Sequence, residues 1–352
     1  MSALLQDGAA APVSSPRSSP KAELPFPRLH EVERVALRLA GQIMPTPVWR
    51  WQTGVIARRF NPLTEVWLKL ELFQQTGSFK LRGALNSVQS LSDDERRRGV
   101  VAASAGNHAV SVACAARAVG SPATLVMPKS ASPVRLDACR GYGAELRLTE
   151  TLAEAFALAD RIAADEGRSM VHPFDGPRTA EGTGTIALEL MRQVRGLDAV
   201  VVPVGGGGLA AGISAIVKQI NPRCQVFGVE PQGADAMSRS FRAGQPVRLG
   251  GVDTVADSLS APYALAYSFG VCRRFIDEIV RVDDAALVAA MHHLFLDMKL
   301  AAEPAAAAAT AALLGPLRER LDGKRVALIV CGSNIDAERF GELLRRSAAP
   351  AA

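Results

Sequence analysis

The chain has 352 residues, 48% of them hydrophobic and 21% charged, a globular composition long enough for two α/β units. Its net charge of +5 is dispersed, with arginines beside acids as in Asp93-Asp94-Glu95-Arg96-Arg97-Arg98, and only 5% of residues are aromatic; a base-stacking nucleic-acid surface is excluded. Cys114, Cys139, Cys224, Cys272 and Cys331 form no C-x-x-C pair, which argues against a disulfide framework or zinc site, and no run of 18 uncharged apolar residues offers a membrane span. The N-terminus lacks the basic start and apolar stretch of a secretory signal, so a cytoplasmic protein is expected.

Residues 1–28 are rich in Ala, Ser and Pro with no hydrophobic period, and are expected to be a disordered extension. The first strand-like run, 66–72, leads through Gln74-Gln75-Thr76-Gly77-Ser78-Phe79 to Lys80, which opens a helix-like stretch through 88. A lysine held at such a junction beside an aromatic ring has its ammonium desolvated and its pKa lowered. Lys80 is therefore a candidate Schiff-base nucleophile and proton shuttle. A solvated lysine in a first helical turn is the plainer reading.

Apolar runs at 99–103, 123–127 and 144–148 are each followed by a helical segment, at 107–119, 132–140 and 150–166. Three such βα units imply a parallel sheet. A second series has a strand at 199–204, a helix to 220, a strand at 226–230, helices near 285–299 and 303–320, and a buried strand at 326–330. Two α/β blocks in tandem follow, with a cleft where strand C-termini meet.

Several strand ends carry chemistry. Ser104-Ala105-Gly106-Asn107-His108 stands where a strand turns into a helix, and free amides there suit a carboxylate. A simple helix cap is the other reading. Gly205-Gly206-Gly207-Gly208 opens the next such helix, and four glycines let successive amides converge on a phosphate. Gly206-x-Gly208-x-x-Ala211 with Glu230 about twenty residues on also outlines a dinucleotide pattern, as in a nicotinamide-dependent oxidoreductase. Cys331-Gly332-Ser333-Asn334 follows the last strand as a ligand-facing turn or an ordinary loop. His172-Pro173-Phe174-Asp175 and Glu181-Gly182-Thr183-Gly184-Thr185 look like a further glycine-bearing entry to a helix.

The strings LKLELFQQTGSFKLRGA, SAGNHAVSVACAA, VMPKSASPVRLDACRGYGAEL, VHPFD, VPVGGGGLAAGI, GVEP and CGSNID run in order from about residue 45 to 340. In that combination the chain resembles the fold type II pyridoxal-phosphate enzymes, in particular the threonine/serine dehydratase (threonine ammonia-lyase) and serine racemase family. The resemblance implies an α/β, two-domain fold like the tryptophan synthase β chain, each domain a mostly parallel sheet flanked by helices. Residues 29–98 and 174–345 would form the large cofactor-binding domain, 99–173 the small domain, and 346–352 a disordered tail. It also implies pyridoxal 5'-phosphate as cofactor, a small-molecule amino-acid substrate, a homodimer, and no membrane or nucleic-acid partner.

Carried over by position, Lys80 is the Schiff-base lysine and Cα base, with Phe79 packed on the pyridine ring. Asn107 meets the ring's phenolic oxygen, while Gly205, Gly206, Gly207, Gly208 and Leu209 wrap the phosphate. Cys331 falls where many members have serine facing the pyridine nitrogen, and Glu303 falls at a pocket-lining position. Ser104, with the amides near Asn107 and His108, holds the substrate carboxylate. The implied reaction is dehydration and deamination of L-threonine or L-serine to a 2-oxo acid and ammonia. The neighbouring alternative is β-elimination or β-replacement on a modified hydroxy-amino acid.

Departures from the pattern narrow this. Racemases of the family resemble one another in a serine just before the glycine of Gly-Asn-His; here it is Ala105, so a lyase with little racemase activity is expected. Ser258 stands where glycine is usual, which leaves side-chain preference open. Glu230 takes the first position of a cation site that some members have, but Ala236 replaces the later acidic ligand, so no metal is expected. No appended regulatory domain is expected either.

Overall fold

The computed structural model describes residues 25–346. Most of the extension and tail expected at the termini lies outside that range. At its inner edge Phe26 is buried, its ring 4.9 Å from that of Phe275, so packing begins before the first helix, Leu29–Leu39.

Strands β1 (Val48–Trp51) and β2 (Glu65–Lys69) open one sheet. Strands β3 (Val100–Ala103), β4 (Ala123–Pro128), β5 (Glu145–Thr149) and β6 (Ser169–Met170) make a second. Strands β7 (Ala199–Pro203), β8 (Gln225–Pro231), β9 (Glu278–Val282) and β10 (Arg325–Ile329) return to the first. The larger sheet has the order β1-β2-β10-β7-β8-β9, and the smaller β5-β4-β3-β6. Among these strands only β1 pairs antiparallel, with β2; Leu328 of β10 lies in register with Leu68 on one side and Val201 on the other.

Parallel strands covered on both faces read as continuous apolar runs, and Val200, Val201 and Val202 of β7 are fully buried. In β3 the period of two divides the core: Val100 and Ala102 join one apolar cluster, Val101 and Ala103 another on the opposite face. The helix Pro304–Leu314 is buried along most of its length, and its alanines let it lie close to the larger sheet.

Two expected elements differ. The run 66–72 leaves the sheet at Lys69, and Glu71–Phe73 forms a single 3₁₀ turn. The turn delivers the Glu71 carboxylate to Arg82 Nε and Nη2, both at 2.8 Å, and extended backbone would not turn it inward. The helix expected over 303–320 stops at Leu314, because Gly315-Pro316 interrupts it and proline has no N–H to continue the ladder; a turn at Arg318–Leu321 follows.

Beneath the Lys80 helix (Lys80–Gln89), the buried Arg82 also donates to Glu189 Oε1 at 2.6 Å, and the buried Lys69 donates to Glu189 Oε2 at 2.6 Å. This quartet ties β2, the Lys80 helix and the helix Pro177–Gln193 together. Removing one partner would leave an uncompensated buried charge, the costly case for such networks. Among the described residues no helix is long and apolar enough to cross a membrane.

Candidate active site

The C-terminal ends of β3, β7 and β10 face one cavity of about 700 Å³. Its walls bring together Phe79, Lys80, Ser104–His108, Gly205–Leu209, Ser258, Glu303 and Cys331, so every residue carried over to cofactor or substrate lines one space, while Glu230, Ser333 and Asn334 do not line it.

Lys80 begins its helix where the preceding turn is stitched to the exit of β10: Phe79 N donates to Cys331 O at 3.1 Å and Ser333 N to Gly77 O at 2.9 Å. Its Nζ donates to Pro173 O at 2.5 Å and lies 5.1 Å from the centroid of the Phe79 ring. Desolvation in the cleft lowers its pKa to about 8, against the opposing pull of Cys331 and Glu303. About a tenth of the amine is therefore neutral at pH 7 and half at pH 8, far more than an ordinary lysine offers as a nucleophile or base.

Val204 N is used by Val229 O, and the helix Gly208–Ile220 makes an early bond from Ala211 N to Gly207 O at 2.8 Å. The amides between them are the orphan donors of a helix start. A Cβ on Gly206 would meet the Phe174 ring at 2.2 Å, and one on Gly208 the Phe174 carbonyl at 2.4 Å; Gly207 has φ +97°. Only glycines fit this close against Phe174, and the free amides of the loop form an anion cradle.

Across the cavity, Asn107 Nδ2 donates to Glu303 Oε1 at 2.9 Å and Oε2 at 3.1 Å, and approaches Ser258 Oγ at 3.4 Å. Burial, reinforced by Asp257, pushes the Glu303 carboxyl up to about 7, while Arg135 and the bonds from Asn107 and Ser258 oppose it. The Cys331 thiol is raised well above its ordinary value by burial and by Glu303, so it stays neutral. Ser104 Oγ accepts from Gly106 N at 3.1 Å. The His108 ring is tied to Val171 O at 2.8 Å, and burial lowers its pKa to about 3; the neutral ring donates that bond. What His108 offers the cavity is its backbone amide, since Ala109 N makes an early bond of that helix, to Gly106 O.

Sequence reasoning missed Arg135 and Asp257. Arg135 lines the cavity and donates to Asp257 Oδ2 at 2.8 Å and Asn334 O at 2.7 Å, a meeting of distant segments that no local spacing signals. The dinucleotide alternative finds no open carboxylate: Glu230 is buried and accepts from Met237 N at 2.8 Å and Ser238 N at 2.7 Å. A reactive amine, an amide cradle for a phosphate and a neutral thiol fit a phosphorylated aldehyde.

The pyridoxal-phosphate dependent enzyme family matches residues 39–332. Phenylserine dehydratase of Ralstonia pickettii is 50% identical over 321 residues, 91% of this chain and 97% of its own length. L-threonine ammonia-lyase of Thermotoga maritima is 41% identical over 283 residues, 80% of this chain and 70% of its own. The structure of maize serine racemase is similar with a TM-score of 0.84 at 32% identity, covering 91% of this chain and 97% of that one. The chain belongs to the pyridoxal-phosphate dependent enzymes, among their amino-acid ammonia-lyases and racemases, and pyridoxal phosphate is its cofactor.

Proposed function

We propose that this protein eliminates water from an L-2-amino-3-hydroxy acid bearing an apolar, aryl-sized group on its β-carbon, releasing a 2-oxo acid and ammonia. The observation that carries the choice of substituent is the smaller sheet's side of the cavity, where Leu152, Ala153, Phe156 and Met170 line the wall. Burying apolar surface there favours a substrate that brings such surface with it. The 50% identical phenylserine dehydratase supports the same reading.

When bound, pyridoxal phosphate supplies the electron sink that makes the Cα proton acidic. Lys80 holds the cofactor and, once its amine is free, takes that proton. Gly205–Gly208 and Leu209 would hold the phosphate, Phe79 would pack on the ring, and Asn107 would face the phenolic oxygen. The buried, neutral Cys331 offers a thiol rather than a carboxylate, and Glu303 sets the local charge through Asn107. Ser104 and the amides of Asn107 and His108 orient the carboxylate. Ala105 has no group to move a proton on the opposite face, so elimination outruns racemisation. The proposal includes a homodimer in the cytoplasm, with the two sheets belonging to the large and small domains.

A panel of phenylserine, threonine, serine and 3-hydroxyaspartate, scored by 2-oxo acid release, tests this. A kcat/KM for phenylserine at least 10-fold above threonine is expected, the scale of one well-filled apolar pocket. The reverse order would support the second reading, L-threonine or L-serine, which rests on the polar Asp257-Ser258 wall and the 41% identical threonine ammonia-lyase.

A further inference from the structure

Asn334 lies in the turn after β10 and touches three segments of the site. Its Nδ2 donates to Thr76 O at 2.7 Å, in the turn before Lys80, and to Asn107 Oδ1 at 2.9 Å. Its Oδ1 packs over Gly77, where an added Cβ would lie 2.2 Å away. Its backbone oxygen accepts from Arg135 at 2.7 Å.

These bonds have one consistent direction. A backbone carbonyl only accepts, so the Asn334 NH₂ must face Thr76 O. Asn107 then presents its Oδ1 to Asn334, which turns its own NH₂ toward Glu303, an acceptor on the cavity wall. A polar ring closes from there. Asn107 approaches Ser258 Oγ, Ser258 Oγ donates to Asp257 Oδ1 at 3.2 Å, Asp257 takes Arg135, and Arg135 returns to Asn334.

We propose that Asn334 is a positioning residue for the reaction, which fixes the orientation of the Asn107 amide and links it to the turn that carries Lys80. It rests on the reading above that Asn107 faces the cofactor. Asn334 does not touch the substrate; it acts through Asn107. Without Asn334 the Asn107 amide would be held from one side only, by its bonds to Glu303, and misplacement of a group in the site costs orders of magnitude in rate.

The test is a double-variant cycle on the cofactor-loaded enzyme, with N107A, N334A, N334D and N107A/N334A compared for kcat, KM and cofactor absorbance. N334D keeps the size of the side chain but cannot donate to Thr76 O or Asn107 Oδ1. N334A and N334D should each lose on the order of 10- to 100-fold in kcat with little change in KM. The double variant should be no slower than N107A. The cofactor band of N334D should shift in the same direction as that of N107A. If the losses of N107A and N334A multiply, or if N334D has wild-type kcat, Asn334 acts independently of Asn107 and the inference is overturned. If N107A itself has wild-type kcat and absorbance, the reading of Asn107 fails and takes this inference with it.

Discussion

Arg135 and Asp257 are 122 residues apart in sequence and 2.8 Å apart in space, one on the helix Pro133–Gly141 beside the smaller sheet, the other in the turn Asp257–Leu259. The same guanidinium lies 3.2 Å from where a Cβ on Gly106 would stand, so it roofs the Ser104–Asn107 turn. The Asp257 side chain is 58% exposed, so the pair contributes little to stability, roughly 1 kcal/mol or less. Its effect on the site is larger. Arg135→Gln should leave the thermal midpoint nearly unchanged and lower kcat/KM by about 10-fold. Arg135→Lys should not restore it, because an ammonium cannot reproduce the two-pronged grip on Asp257 and Asn334 O. Steady-state kinetics beside a melting curve check both.

Glu303 and Glu230 both have carboxyls raised from 4.5 to about 7 by burial. With folded pKa values above the unfolded ones, their contribution to stability is fully present below about pH 4.5 and is lost as pH rises through about 7. Glu303→Gln removes one of the two titrations. Urea midpoints measured from pH 5 to 8 should fall less steeply in that variant than in the wild type. An equally steep fall would show that Glu303 is ionised in the fold throughout.

Capture of the cofactor needs the neutral Lys80 amine, which titrates at about 8. The rate at which apoprotein gains the cofactor's absorbance should rise with pH and level off above about pH 8, and Lys80→Arg should show no such gain. A flat profile between pH 6 and 9 would overturn the assignment.

Gly206 has no room for a methyl group, since its Cβ would overlap the Phe174 ring at 2.2 Å. Gly206→Ala should therefore displace Phe174 or the loop and weaken cofactor binding at least 10-fold, at a cost of about 1–3 kcal/mol in fold stability. Equilibrium dialysis against pyridoxal phosphate gives the first number and denaturant titration the second.

Ala105 lines the cavity between Ser104 and Gly106. If position 105 faces the substrate opposite Lys80, as proposed, Ala105→Ser supplies the missing hydroxyl, and D-enantiomer formation from L-serine, followed by chiral chromatography, should rise at least several-fold above the wild type. If wild-type protein already racemises as fast as it releases 2-oxo acid, the one-face reading of Lys80 is wrong.

The βα rhythm was legible because buried parallel strands are continuous apolar runs: 123–127 and 199–204 fall within one residue of β4 and β7 at each end. The strands β1 and β9 were not read. The helix Pro177–Gln193 was seen only as a glycine-bearing entry. Gly182 weakens its helical signal, yet the fold needs it, because a Cβ there would lie 2.5 Å from Arg82 O on the crossing helix. Site residues that sit at strand ends announced themselves through glycines and polar turns. Arg135 and Asp257 did not, and Asn334 showed only as one residue of a polar turn, because their roles come from partners far along the chain.

The quartet of Lys69, Glu71, Arg82 and Glu189 carries two positive and two negative charges and sums to zero. It anchors the helix that begins with Lys80, and none of its four members is among the groups that shift the Lys80 amine. The Lys80 amine is tuned instead by its burial in the cleft, opposed by Glu303 across the cavity. Anchorage and proton affinity thus rest on different groups. The reactivity of Lys80 can be retuned from the cavity wall without disturbing the ionic lock that holds it in place.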